Sequence, residues 1–286
     1  MRRNDRDFEI QNGVLKKYTG NAARVTVPDG IAEIGTNAFE DCATLESITI
    51  PESVTKIGIS AFECCAALKS IVIPDSVTEI SVFAFRDCVA LESIAIPSSV
   101  TLIGYAAFEG CAALESIVIP EGVTEIGNAT FADCTALISI VIPDSVKKIG
   151  SYAFQRCSSL GSIVIPDSVT WIGASAFEGC DALESIVIPK NVTEIYEETF
   201  RDCTALKSIM IPESVTEIDD FAFEFCDALE SIVIPESVTK IGRAAFRKCT
   251  SLKNVTMPTG MSIGASAFAG TPYGVVNGDF SDKIDL

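Results

Sequence analysis

The chain has 286 residues, is 48% apolar and carries 39 acidic against 21 basic side chains, a net charge of −18. A field of that sign repels phosphate backbones and anionic lipid heads, which argues against nucleic acid and bare membrane as partners. Histidine is absent, which removes Ser-His and Cys-His nucleophiles together, and no run approaches the roughly 20 apolar residues of a membrane helix.

In chain order, Met1 to Asp7 holds charges with no apolar core behind them. No signal peptide is expected there, and the sequence as it stands reads as cytoplasmic. Phe8 to Tyr18 reads as two short strands around Asn12-Gly13, the pair that favours a type I′ hairpin. Residues 1–24 are therefore expected to form an N-terminal cap on the rest of the chain. Val25, Val27 and Pro28 open a repeat. Prolines recur every 23 residues from Pro28 to Pro258, phenylalanines from Phe39 to Phe246, cysteines from Cys42 to Cys249 and leucines from Leu45 to Leu252. A fixed period of this length marks a solenoid, here one domain over 25–271 with about ten or eleven copies.

Within one copy, Leu45, Ile48 and Ile50 read as a strand. Pro51 lacks the N–H a ladder needs and stops it. Pro51-Glu52-Ser53 fits a type I turn with proline at the first central position. Val54 and Ile57 point inward from a second extended piece, and Ala61, Phe62 and Cys65 have the spacing of one helical or 3-10 turn. The fold class expected is an α/β repeat solenoid, with a parallel sheet on one face and short helical or 3-10 turns on the other. The last copy is one residue short between Pro258 and Gly264, and Thr271 stands in the cysteine slot. Residues 272–286 leave the pattern and are expected to form a C-terminal cap through Val275, Val276, Phe280 and Ile284.

This pattern resembles the leucine-rich repeat proteins of the BspA type. The resemblance is carried by Leu160 to Pro166, Val169 to Ile172 and Ala176 to Cys180, and it covers about 25–271. It implies a right-handed superhelix and a non-enzymatic protein. It also implies kinship with surface or secreted proteins of bacteria and some protists that are linked to adhesion and protein binding.

Ten of the eleven cysteines lie on the period. One thiol per coil makes a row at about 4.8 Å spacing, and a row cannot close a zinc tetrahedron. These cysteines read as reduced, small buried hydrophobes. Cys64 is the extra one, in a slot elsewhere filled by Asp, Gly, Arg or Lys, and reads as an exposed thiol. The acidic row after the prolines, Glu52, Asp75, Glu121, Asp144, Asp167, Glu213 and Glu236, suits turns, with Ca²⁺ recruitment as the competing reading. No cofactor or metal is implied.

Two surface rows remain. The strand places serines and a row of valines (72, 118, 141, 164, 187 and 233) on the outer sheet face, an apolar stripe of the kind that marks contact surfaces. Variable positions elsewhere carry Phe83, Tyr105, Tyr152, Trp171, Tyr196 and Phe221, and aromatics are enriched in binding hot spots. The expected function is a non-catalytic binding or adhesion module for a protein or peptide, as a monomer or weak homo-oligomer. A glycan-active enzyme is the alternative, but such an enzyme calls for an inserted loop bearing carboxylates, and the repeat has no insertion. An idealised scaffold without a ligand is the third reading.

Overall fold

The computed structural model describes residues 7–273. The chain opens with the antiparallel hairpin β1 (Phe8–Gln11) and β2 (Val14–Tyr18). Asn12 and Gly13 between them have φ of 53° and 75°, the paired left-handed residues that a type I′ turn requires. The first coil follows with β3 (Arg24–Thr26) and β4 (Glu33–Ile34). The hairpin joins the stack on two sides: Val14 and Leu15 of β2 pair in parallel with Glu33 and Ile34 of β4, and the Tyr18 N–H donates to the Ala38 carbonyl at 2.8 Å.

Later coils repeat the sides of β3 and β4 in register, except that Ser162 joins the first of them only through an isolated bridge to Ser185. Ser47, Ile48 and Thr49 pair with Ser70, Ile71 and Val72, and Lys56 and Ile57 pair with Glu79 and Ile80, all in parallel. The deletion in the last copy is absorbed before Ser262, which pairs with Lys240 at a separation of one residue fewer. Neither sheet is continuous. On the second side the pairing lapses between Leu102–Ile103 and Glu125–Ile126, and again between Trp171–Ile172 and Glu194–Ile195. At the second lapse Tyr196 stands where most coils have glycine. That slot is tight: a Cβ on Gly150 would lie 2.5 Å from the Asn128 nitrogen of the previous coil.

The third side differs from the helical or 3-10 turn that the spacing predicts. The N–H groups of Asn37, Phe39 and Asp41 donate to Ile59, Ala61 and Glu63 of the next coil at 2.8–3.0 Å, while Ala38, Glu40 and Cys42 donate three residues back. Asn37 and Asp41 are left-handed, with φ of 58° and 59°, and equivalent residues recur in every coil. A helix sends all its N–H groups along its own axis and is right-handed throughout. Here alternate N–H groups join neighbouring coils, so the side is a third ladder built from turns.

The proline turn is also shifted by one residue from expectation. Val54 N–H donates to the Pro51 carbonyl at 3.0 Å, so proline holds the first position and Glu52-Ser53 the centre. Proline ends the strand and closes the turn through its carbonyl, while the serine does a second task. Ser53 Oγ donates to Ile31 O of the preceding coil at 2.7 Å, and Ser76, Ser99, Ser145, Ser168, Ser214 and Ser237 repeat the bond.

The core is a set of columns. Leu45, Ile48, Ile50, Val54, Ile57, Ala61 and Phe62 are all buried, as are their equivalents along most of the stack. Phe39 to Phe268 form an unbroken file of stacked rings with centroids 5.1–5.7 Å apart. Tyr18 and Phe8 extend the file at one end and Tyr273 at the other. Beside it, Cys65 Sγ donates to the Phe39 carbonyl at 3.1 Å, and each later ladder cysteine repeats this bond to a phenylalanine of the coil before. Thr271, in the final cysteine slot, donates to Phe268 O of its own coil instead. Of the segment 272–286, only Pro272 and Tyr273 are described; Val275, Val276, Phe280 and Ile284 lie outside the described residues.

Candidate binding surfaces

The outer face of the Ser-Ile-Val sheet follows from strand alternation: isoleucines turn in and their neighbours turn out. Val72, Val118, Val141, Val164, Val187, Met210 and Val233 are 58–81% exposed. From Val118 to Val233 the column is unbroken over six successive coils. Beside it runs a parallel column of exposed serines, Ser116, Ser139, Ser162, Ser185, Ser208 and Ser231. Lysine-carboxylate pairs cross between coils at both margins, Lys207–Glu184 at 2.9 Å and Lys190–Asp167 at 2.8 Å.

The six aromatic candidates occupy other sides of the coil, and the structure joins several in pairs. Phe83 meets Tyr105 edge to face at 6.0 Å, and Arg86 lies 4.5 Å above the Phe83 ring. Trp171 and Tyr196 meet at 5.8 Å across the second lapse in pairing. Arg243 and Arg247 lie 4.8 and 5.8 Å from the Phe221 ring. Tyr152 has no ring partner among the described residues. Tyr105 and Tyr152 are the most open, at 53% and 45% exposure. Phe83, Tyr152 and Phe221 share a left-handed slot, which other coils fill with the small, buried Ser60, Ala106, Ser175 and Ala244. Beside Tyr105, the first lapse leaves an open cleft of about 320 Å³ lined by Val82, Leu102, Gly104, Glu125 and Gly127.

Cys64 is partly buried and left-handed, with φ of 59°. Burial, then Asp87 and Asp41, push its thiol above the usual range, against a smaller opposing effect of Arg86. The Cys88 thiol is pushed up to about 12, chiefly by burial. Thiolate character is thus disfavoured at both kinds of cysteine.

Two charge clusters have no counterpart in the sequence reading. The residue after each core phenylalanine stacks on its equivalent one coil away, giving the file Gln155, Glu178, Arg201, Glu224 and Arg247. Glu224, with only 1% of its side chain exposed, lies 3.1 Å from Arg201 Nε and also pairs with Arg247; Gln155 donates to Glu178 at 2.7 Å. Glu63 and Arg86 form a similar pair. The signal was available as Glu and Arg alternating at the period in that slot. Elsewhere, Glu194, Glu217 and Asp219 bring carboxylate oxygens within 4.8 Å of one another. Burial first, then Glu217 and Glu194, push the Asp219 carboxyl up to about 6. Lys240 pairs with Glu217 and lies 3.6 Å from Asp219, supplying the positive charge that such a group needs.

Among the described residues no helix is long and apolar enough to cross a membrane. The family model described as "BspA type Leucine rich repeat region (6 copies)" matches residues 9–138, 55–184, 124–249 and 170–284. Among solved structures, the chain is similar to a leucine-rich repeat protein from Bacteroides ovatus, with 30% identity, 92% of this chain and 89% of that one covered, and a TM-score of 0.55. It is also similar to a leucine rich cell surface protein from Faecalibacterium prausnitzii, with 28% identity, coverage of 93% and 90%, and a TM-score of 0.59. A Treponema pallidum leucine-rich repeat protein is 34% identical over 63% of this chain and 89% of its own, with a TM-score of 0.60. No curated protein sequence matches.

Proposed function

The chain belongs to the BspA-type leucine-rich repeat family, and from that premise we propose that it is a non-catalytic module that binds a protein or peptide along its Ser-Ile-Val sheet face. The observation that carries this reading is the valine column, open to solvent over six coils. A contiguous apolar stripe of that length on a monomer is the usual mark of a contact surface. The unbroken repeat supports the non-catalytic part, because no inserted loop distinguishes one set of carboxylates from the rest. Phe83, Tyr105, Tyr152, Trp171, Tyr196 and Phe221 are proposed as a second contact set, supported by the openness of Tyr105 and Tyr152 and by the adjoining cleft. Residues 1–24 are proposed as the N-terminal cap. The proposed setting is the cell surface or the secreted fraction, which the description of the Faecalibacterium protein supports.

The test compares proteins captured from source-organism cells by three baits: wild type, the triple variant Val141→Ser, Val164→Ser and Val187→Ser, and the double variant Tyr105→Ala and Tyr152→Ala. A partner captured by wild type and lost with the triple variant supports the sheet face. A partner lost only with the double variant moves the contact to the aromatic side. Captured partners unaffected by either variant refute both surfaces.

A further inference from the structure

The sheet face holds more information than its apolar column, and the information concerns the chemistry of the partner. Three kinds of group run along it in parallel. The valine column lies in the middle. The serine column lies two residues away along each strand, and none of the hydroxyls of Ser116, Ser139, Ser162, Ser185, Ser208 and Ser231 has a hydrogen-bond partner among the described residues. Outside both run two margins. Over the six coils one holds Glu115, Ile138, Gly161, Glu184, Lys207 and Glu230, a mixed row; the other, exposed and charged throughout, holds Glu121, Asp144, Asp167, Lys190, Glu213 and Glu236.

The margins are not neutral. Both lysines are used by carboxylates of their own row, Lys207 by Glu184 and Lys190 by Asp167. Glu115, Glu121, Asp144, Glu213, Glu230 and Glu236 then remain without an ion pair among the described residues. An apolar column bordered along one side by carboxylates, four of them without an ion pair, and by Glu115 and Glu230 towards the two ends of the other side is complementary to an apolar ligand bearing positive charge. Unpaired hydroxyls beside the column suit a ligand with main-chain amides to offer them.

We infer that the sheet face takes an extended, cationic and apolar polypeptide segment laid along the stack, its apolar side chains on the column from Val118 to Val233 and its long Lys or Arg side chains, which leave the far face of the segment, reaching back round it to the acidic margin from Glu121 to Glu236. This rests on the sheet-face reading above and specifies its partner. The dimensions agree. Six coils at about 4.8 Å per strand span roughly 24 Å, which an extended segment covers in about seven or eight residues at ~3.3 Å each. Each margin lies three residues from the column, roughly 10 Å along the strand, within the combined reach of a carboxylate and a lysine side chain. A polyanion is repelled by the same margins, and an anionic peptide with the same apolar residues has no counter-charge to meet.

The test uses three labelled twelve-residue peptides, alternating Val with Lys, Val with Glu, and Ser with Lys, titrated by fluorescence anisotropy into the full chain. The expected result is binding of the Val-Lys peptide, at least tenfold weaker binding of the other two, and further weakening as salt rises. The triple variant Val141→Ser, Val164→Ser and Val187→Ser, checked for an unchanged circular dichroism spectrum, is expected to bind Val-Lys about tenfold more weakly. Neutralising the margin with Glu115→Gln, Glu121→Gln and Asp144→Asn should weaken Val-Lys binding at least about threefold. Neutralising Glu40, Asp181 and Glu197, exposed carboxylates off this face, should leave it unchanged.

Equal loss from both neutralised sets means diffuse attraction to a protein of charge −18 and overturns the inference. Equal binding of Val-Glu and Val-Lys overturns the cationic partner while leaving the sheet-face reading intact. Val-Lys binding that ignores the serine variant overturns the site, and no binding of any peptide at millimolar concentration overturns the inference altogether, whereas the capture experiment above stands or falls separately.

Discussion

Phe154 sits near the middle of the phenylalanine file, fully buried, with Phe131 and Phe177 stacked on its two faces at 5.6 and 5.3 Å. Truncating it to alanine removes a buried aromatic whose loss costs about 3–5 kcal/mol, a value that includes its ring contacts of ~0.5–1.5 kcal/mol each. In a solenoid each coil contacts only its neighbours, so the damage stays at that coil and weakens the joint between the two halves. Phe154→Ala is therefore expected to split one cooperative urea transition into two. Hydrogen exchange should accelerate first around 150–165. Tyr152→Ala serves as the control: it is two residues away, 45% exposed, and expected to cost under about 1 kcal/mol. Urea denaturation followed by circular dichroism, with exchange read by mass spectrometry, decides the matter. A Phe154→Ala loss no larger than that of Tyr152→Ala refutes the stacked-column account of stability.

Lys248→Gly should stabilise the chain by up to about 1 kcal/mol, since Lys248 has φ of 63° and left-handed strain of ~1–2 kcal/mol exceeds the entropic cost of glycine; urea midpoints check it. A thiol reagent on the native protein should label Cys64 and Cys42, which are partly exposed, and spare the nine buried ladder cysteines; rapid labelling of several buried ones contradicts the thiol-to-carbonyl ladder. Asp219 has a folded pKa of about 6, raised from 3.8, so the folded state holds its proton more tightly and loses stability as pH rises from about 4 through 6. Asp219→Asn should accordingly raise the melting temperature at pH 7.5 and leave it nearly unchanged at pH 4; a drop at pH 7.5 refutes net repulsion at that cluster.

The period, the strand positions and the inward residues were legible in the sequence because identical slots face identical surroundings in every coil. Phe62, Cys65 and Leu68 repeat because each must fit the same column. The third side was not legible as a ladder. Its spacing, with Ala61, Phe62 and Cys65 at one, two and five, fits one turn of helix equally well, and the difference lies in backbone handedness. One clue was present: the slot of Cys64 holds Asp41, Asp87, Gly110, Asp133, Gly179 and Asp202. Such a set reads as solvated, yet Asp and Gly are also residues that tolerate positive φ, and the structure shows the latter reason. The slot of Phe83, Tyr152 and Phe221 gave no such clue, because Ala106 and Glu198 share it and its handedness too. The Glu224 ion-pair file was written in the sequence as alternation across coils, where charge is easily passed over as a solvated edge. The valine column was visible as a row, but only the structure shows that no part of the described chain covers it.

The most direct measurement of the central claim is site-specific photocrosslinking in the source organism's cells. A benzophenone side chain is placed at Val164 on the sheet face, at Trp171 on the second side, or at Lys248 on the turn side. The account predicts that one discrete partner is crosslinked from position 164 and is absent from 248. A partner crosslinked from 171 or 248 but never from 164 contradicts the sheet face as the binding surface.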